Sequence, residues 1–141
     1  RRETMNHRYV YNGPMQTQRL VQQIADKSQG HTQKYGRRPY GVGLLCIGYD
    51  QTGPHLFETD PSGNYFDFYA QAIGARSQAA RTYLEKQKDV LADASPEDLM
   101  RHALFALRET IGKKSEDSTL TVENTQVAIV GKDQSFKFVS G

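Results

Sequence analysis

The chain has 141 residues, of which 37% are apolar and 24% are charged, a composition typical of one soluble globular domain. Lysine and arginine number 18 against 16 aspartate and glutamate, so the strong positive field that gathers nucleic acid or an anionic membrane is absent, and we expect neither as a partner. The single cysteine, Cys46, excludes an intramolecular disulfide, and no apolar stretch approaches the roughly 18 residues that cross a bilayer.

The first predicted element is a short amphipathic helix from Thr17 to Ser28, where apolar residues recur at helical spacing after Gly13-Pro14. Residues 31–40 are polar and basic with one glycine and one proline, which predicts a loop. Residues 41–49 are apolar, but the run is too short and too rich in glycine for a helix. We therefore predict a buried strand there.

Two further strands are predicted next. Turn residues at 50–54 lead into a short strand at 55–59, and Asp60-Pro61-Ser62-Gly63 makes a second turn. Residues 64–70 alternate aromatic and polar side chains, with Phe66 and Phe68 on one face and Tyr65, Asp67 and Tyr69 on the other. The pattern predicts three consecutive strands.

Two helices are predicted after Gly74. Residues 75–91 carry an apolar stripe that predicts one helix of about four turns. The second has a clear start, because Ser95 can cap it and Pro96 suits its first position. Glu97 places a negative charge at the positive end of the helix dipole. We expect it to end at Gly112. Its expected buried stripe comprises Leu99, Ala103, Leu104, Leu107 and Ile111.

The last elements are two strands, at 126–130 and 136–139, joined by a turn at 131–133 and preceded by a charged loop at 113–119. Strand and helix do not alternate along the chain, so a doubly wound parallel sheet is disfavoured. The order instead predicts an α+β fold, with antiparallel sheet and helix in separate layers.

A nucleotide-binding loop is one interpretation of the glycines at 41, 43 and 48. Their spacing is G-x-G-x-x-x-x-G, and no helix begins after them to hold a phosphate. Close packing of the backbone is the better interpretation. Cys46 lies inside the same apolar run, where it is expected to be a small buried hydrophobe with a raised thiol pKa rather than a nucleophile.

Other candidate chemistry is equally sparse. The histidines are far apart and form no metal-binding pair, so each is expected on the surface or in a loop: His7, His31, His55 and His102. Ser62 and Ser77 lack a nucleophile elbow. Glu85 could pair with Glu97 or Asp98 only if the two helices aligned them, so solvated helix faces are expected. The residues themselves therefore predict no catalytic, cofactor-binding or metal site.

A family resemblance adds to this interpretation. The segments "YGRRPYGVGLLCIGYD", "DPSGNYFDFYAQAIGARSQAARTYLE", "ALRETI" and "VAIVGKD" resemble the α-type subunits of the 20S proteasome core particle. The details "RRPYGVGLL", "GYD", "GPH", "NYFD" and "ARTYLE" are most similar to one of the seven α paralogues. The resemblance covers nearly the whole chain.

The resemblance implies a four-layer αββα sandwich, the N-terminal-nucleophile hydrolase fold, here without its N-terminal strands. Residues 1–141 are expected to be a single partial domain, the C-terminal portion of a subunit, with residues 1–12 as the tail of the first long helix. The gate-forming tail and the activator-docking lysine then belong to no residue of this chain. Open sheet edges predict that the chain alone aggregates or swaps strands.

The implied function is that of a noncatalytic structural subunit, because in this family peptide hydrolysis belongs to β-subunits with an N-terminal threonine. The implied partners are other α-subunits in a heptameric ring, the adjacent β ring and regulatory particles, in ubiquitin-dependent degradation in cytoplasm and nucleus. No cofactor is implied. By analogy, the helix 17–28 faces the β ring, and the helices after Gly74 and Ser95 face outward.

Two alternatives stay open. The chain could be the downstream part of a self-activating hydrolase of the same fold, which processing to an N-terminal threonine, serine or cysteine would favour. It could also be an RNA-binding module using Arg37, Arg38, Tyr35 and Tyr40, which predicts salt-sensitive binding. The near-neutral charge argues against the second.

Overall fold

The computed structural model describes residues 1–111 and 119–139. Its helices are α1 Arg2–Tyr11, α2 Thr17–Gln33, α3 Ser77–Lys86, α4 Lys88–Ala92 and α5 Pro96–Glu109. Its strands are β1 Leu44–Asp50, β2 Gly53–Thr59, β3 Tyr65–Asp67, β4 Val127–Gly131 and β5 Gln134–Val139. The α+β class is confirmed, as are the three consecutive strands and the final strand pair, and α1 lies where residues 1–12 are expected to end a helix. The predicted helix end at Gly112 and all but the last residue of the predicted loop 113–119 lie outside the described residues.

Two compact units divide the chain: Arg1–Tyr69 with Val130–Ser135, and Ala70–Ile129 with Phe136–Gly141. The single partial domain over residues 1–141 stays a prediction. Among the described residues, none of the helices is both long and apolar enough to cross a membrane.

The first unit contains an antiparallel sheet in the order β1-β2-β3. In the β1–β2 hairpin Cys46 lies opposite Phe57, and Ile47 lies opposite Leu56. Next to it, Phe66 of β3 lies opposite Glu58. Residues directly opposite each other share a face of the sheet. The register therefore sorts the side chains of all three strands onto two faces.

Helix α2 packs across one face of this sheet and contacts all three strands. Val21 and Ala25 of α2 are buried there against Phe57, which is only 3% exposed, and Thr59. The helix continues to Gln33, five residues beyond its predicted end at Ser28. It continues because Gly30 is tolerated within the helix and its carbonyl accepts a hydrogen bond from the Lys34 N–H. The predicted loop at 31–40 therefore begins three residues late.

The close fit of α2 on the sheet explains two glycines. A Cβ at Gly48 of β1 would lie 2.8 Å from Thr17 Cγ2, and closer still to its hydroxyl oxygen. Gly63 has a φ of +94°, and a Cβ there would lie 2.8 Å from the Ala25 carbonyl oxygen. Only glycine fits such an approach. The expectation that Gly48 serves packing is thus confirmed, and Gly63 closes the predicted turn 60–63.

The opposite face of the sheet is open, which corrects the predicted buried strand. Ile47 is 49% exposed and Phe66 is 56% exposed. Leu45 and Tyr49 are exposed on the same face. The strand prediction was right for β1, but only one of its faces has a covering element among the described residues of this unit.

The second unit contains the pair α3 and α5, which pack against each other. Ala80 of α3 and Ala106 of α5 are buried, and the Tyr83 hydroxyl lies 2.9 Å from His102 Nδ1. The single predicted helix 75–91 is wrong, because the chain leaves helical geometry at Gln87, with φ −97° and ψ 9°. Helices α3 and α4 flank that break.

The start of α5 is as predicted, because Ser95 Oγ accepts a hydrogen bond from the Asp98 N–H at 3.2 Å. The predicted buried stripe is wrong at three of its five positions, because Leu99, Ala103 and Leu107 are exposed, while Leu104 and Ile111 are half-buried. The small residue Ala106 lies at the buried face instead. Helical periodicity identified an apolar stripe but could not show which side of α5 has a partner.

Strands β4 and β5 form a two-stranded sheet, as predicted. Their turn is shorter than predicted, with only Lys132 and Asp133 between the strands. Asp133 adopts a φ of +57°, a conformation that aspartate tolerates better than most residues.

Candidate functional site

The two candidate serine nucleophiles are both engaged in local structure. Ser62 Oγ donates to Asp60 Oδ1 at 2.5 Å and accepts from the Asn64 side chain at 2.8 Å. The Ser62 hydroxyl is also the main cause that lowers the pKa of Asp60. Ser77 is the first residue of α3, and its hydroxyl accepts from Arg81. Neither geometry is that of an activated nucleophile.

Cys46 lies in β1 on the face that α2 covers and is half-buried. Burial raises the pKa of its thiol, which confirms the expected direction. A raised pKa keeps the sulfur protonated at neutral pH, so it is a poor nucleophile.

The histidines are not in loops, which corrects that expectation. All four lie in helices or strands and are half-buried: His7 in α1, His31 in α2, His55 in β2 and His102 in α5. Each histidine contacts a different local partner. Among residues 1–111 and 119–139, no group of histidine, cysteine, aspartate and glutamate side chains could hold a metal ion.

Asp50 forms the most constrained polar cluster of the first unit. Its Oδ2 accepts from the Thr17 N–H at 3.0 Å, at the start of α2, and its Oδ1 accepts from the Thr52 N–H at 2.9 Å. His55 Nε2 lies 3.2 Å from Oδ1, and the Asp50 side chain is 13% exposed. The Thr52 hydroxyl, then the two N–H groups and His55, hold the pKa of Asp50 far below its usual range.

This cluster is structural rather than catalytic. A carboxylate from β1 satisfies an N–H that the first turn of α2 leaves without a helical partner. It therefore fixes the helix on the sheet. Thr17 and Asp50 are 33 residues apart, so no local sequence signal could have identified the pair.

The candidate carboxylates of α3 and α5 are solvated, as expected. Glu85 and Glu97 are exposed. Asp98 accepts from Ser95 Oγ at 2.7 Å and from Arg101 Nη1 at 3.3 Å. These contacts suit a helix start and do not bring two carboxylates together for acid–base chemistry.

A basic loop at residues 34–41 follows α2 and contains the residues of the RNA-binding alternative. Tyr35, Arg37 and Arg38 are exposed. Tyr40 stacks on His31, with ring centroids 4.4 Å apart and planes at 20°. Only one tyrosine ring of the pair thus keeps both faces open.

The open face of the sheet is the candidate functional surface, and sequence reasoning missed it. Leu45, Ile47 and Tyr49 alternate along β1 with the residues that α2 covers. Phe66 of β3 lies on the same face, separated from Leu45 by Glu58 of β2, which is opposite both. Exposed apolar side chains grouped on one face in this way mark a place where other protein packs. The signal in the sequence was that both faces of β1 are apolar.

The described residues thus form an α+β chain with an exposed, partly apolar sheet face. The family described as "Proteasome: Proteasome subunit" matches residues 1–130. The chain belongs to this family.

Among curated relatives, the chain is 51% identical over 139 residues to proteasome subunit alpha type-1 of Dictyostelium discoideum, covering 99% of this chain and 55% of that protein. It is 46% identical over 134 residues to proteasome subunit alpha type-6 of Saccharomyces cerevisiae, covering 94% and 56%. It is 41% identical over 140 residues to proteasome subunit alpha type-1 of Drosophila melanogaster, covering 99% and 50%.

The resemblance to α-type subunits, with α type-1 as the paralogue that the diagnostic segments resemble, is confirmed by these similarities. The chain spans about half the length of the curated relatives it matches.

Proposed function

We propose that this chain is part of a noncatalytic, structural α-type subunit in the ring of the 20S proteasome. The observation that carries the proposal is the pairing of α-type relatives with a sheet whose second apolar face is open. A subunit of this kind acts through the surfaces that it presents to its neighbours. The exposed sheet face is a surface of this kind.

The open face supports the four-layer αββα sandwich. Two sheets that pack face to face lie about 10 Å apart and fill the space with interdigitating apolar side chains. Leu45, Ile47 and Phe66 supply one half of such an interface. Helix α2 supplies the outer layer on the other face of the same sheet. The missing inner layer is then a second sheet of the complete subunit.

The engaged side chains support a noncatalytic role. The Ser62 hydroxyl is held by Asp60 and Asn64, the Cys46 thiol has a raised pKa, and α-type relatives are the ones that match. The family resemblance implies that peptide hydrolysis belongs to the β-subunits. The complete subunit therefore contributes to assembly and to the docking surface for regulatory particles.

We place α2 and the loop before it toward the β ring, and α3 and α5 on the outward side, with other α-subunits as ring neighbours at the sixth position. A contact role for α1, the helix that precedes α2, is supported by its exposed apolar residues Met5, Tyr9, Val10 and Tyr11. The complex acts in ubiquitin-dependent degradation in cytoplasm and nucleus.

Native mass measurement of the full-length protein, tagged in its own cells, tests the proposal. We expect the protein in a particle of four stacked seven-membered rings, with its N-terminus unprocessed. A protein that stays outside such particles would overturn the proposal. Processing to an N-terminal threonine, serine or cysteine would favour the hydrolase alternative instead.

A further inference from the structure

The basic loop at residues 34–41 lies in the least balanced stretch of the chain. From residue 27 to residue 49 there is no aspartate or glutamate, while Lys27, Lys34, Arg37 and Arg38 are all present. Three of these four cations fall within five residues. The chain as a whole is nearly neutral, so this concentration is local.

The loop has a defined shape. Gly36 adopts a φ of +75°, and the Arg37 N–H donates to the Lys34 carbonyl at 3.2 Å, so the chain turns directly after α2. The turn and His31 enclose a shallow concavity of about 580 Å³. It is lined by His31, Gly36, Arg37, Arg38, Pro39 and Tyr40 with Gly41.

His31 holds one wall of this concavity. Its Nε2 lies 3.3 Å from Arg37 Nη1 and 3.3 Å from the Tyr40 hydroxyl. Because a guanidinium can only donate, Nε2 acts as the acceptor for Arg37. The stacked ring of Tyr40 closes the wall. This contact orients Arg37 without placing a carboxylate beside its guanidinium.

Within the part of the chain that the structure describes, the cations of the loop have no carboxylate partner. Among the ion pairs of residues 1–111 and 119–139, none involves Lys34, Arg37 or Arg38. Arg38 donates only to the Pro39 carbonyl, at 3.4 Å. A guanidinium has five N–H donors in a planar fork that matches a carboxylate. Most of the donors on both arginines are thus available to a partner.

We propose that this basic loop is a docking surface for an acidic peptide segment of another protein, whose carboxylates pair with Arg37, Arg38 and Lys34. The charges are complementary, and Arg37 and Arg38 border the same shallow, open concavity. The inference does not depend on ring membership, because it rests on the loop alone.

RNA fits the loop less well. Single-stranded RNA is held by several aromatic faces on which bases stack. Tyr40 has one face covered by His31, which leaves Tyr35 as the loop's freely accessible ring. Three cations also supply little of the counterion release that drives nonspecific nucleic-acid binding. A peptide carboxylate needs only the guanidinium forks.

Fluorescence anisotropy on the purified full-length protein tests the proposal. The probes are a fluorescein-labelled hexaglutamate peptide, a labelled hexaserine peptide and a labelled uridine oligonucleotide. We expect hexaglutamate to bind more tightly than hexaserine, with affinity that falls as salt rises. Arg37→Gln with Arg38→Gln should weaken hexaglutamate binding about tenfold, because two charge-assisted contacts are lost.

Arg1→Gln with Arg2→Gln is the matched control, since it removes the same charge from two adjacent exposed arginines elsewhere. It should leave hexaglutamate affinity unchanged. If the double variant at the loop unfolds, Arg38→Gln alone keeps the contact of Arg37 with His31 and should still weaken binding. Equal losses at both arginine pairs, or a loss confined to the uridine oligonucleotide, would overturn the proposal.

Discussion

The two faces of the β1-β2-β3 sheet are made by the same three strands and both carry apolar side chains, yet among the described residues of this unit only one face is covered. On the α2 side Phe57, Val21 and Ala25 are buried, and the helix start is fixed by Asp50. On the other side Ile47 and Phe66 are exposed. Strand composition thus determines whether a face is apolar enough to be buried. The elements packed beside it determine whether that face becomes core or interface.

The largest expected loss of stability comes from a substitution on the face that α2 covers. Phe57→Ala in the full-length protein should lower the free energy of unfolding by about 3–5 kcal/mol, because it leaves a cavity under α2. Urea denaturation followed by circular dichroism measures it. A loss of unfolding free energy below about 1 kcal/mol would contradict the burial of Phe57 under α2.

Phe66→Ala tests whether the second face of the sheet is covered in the full-length protein. If a second sheet covers the open face, the variant should lose about 3 kcal/mol in the full-length protein, close to the Phe57 result. If the face stays open, the loss should be that of a surface substitution, within about 0.5 kcal/mol. The same urea measurement separates the two, and the second result would contradict the sandwich.

The fit of α2 on the sheet is sensitive to a single methyl group. Gly48→Ala should lower stability by about 1–3 kcal/mol, since the added Cβ meets the Thr17 side chain. Gly41→Ala is the matched control, because a Cβ there has nothing within 4 Å. It should change stability by less than about 1 kcal/mol. Equal melting temperatures for the two variants would contradict the close approach.

Asp50→Asn should have the smallest effect, a loss of about 1 kcal/mol at neutral pH, because the charge that stabilises the start of α2 is removed. Folding lowers the pKa of Asp50, so its contribution is complete above the unfolded-state pKa of about 3.9 and is lost progressively as pH falls from there through the lower folded-state pKa. Stability measured from pH 7 downward should show the two proteins converging in acid. Asp93→Asn, at an exposed aspartate, should show no such convergence.

Local signals predicted much of the fold. Ser95 and Pro96 mark the start of α5 correctly, and the apolar run with its turn predicts the β1–β2 hairpin. The break at Gln87 and the extension of α2 to Gln33 follow from backbone geometry that composition does not specify. The exposed side of α5 and the Thr17–Asp50 contact depend on tertiary packing.

The candidate surface was predictable only in its ingredients. Alternation placed Phe66 and Tyr65 on opposite faces, and the register bears this out. The pattern of β1 carried no sign of which face α2 would take, because apolar residues occupy both. The basic loop was visible in the sequence, but the contacts of His31 that orient Arg37 required the structure.

Thiol labelling of the full-length protein within its assembled particle tests the central claim, that the open face is a packing face of the complete subunit. The reporter is Ile47→Cys in a Cys46→Ala background, and Gln51→Cys, in the exposed turn of the same hairpin, is the accessible control. We predict that a maleimide reacts at residue 47 at least about a hundredfold more slowly than at residue 51, because reaction requires local opening. Equal rates at the two positions would contradict the account.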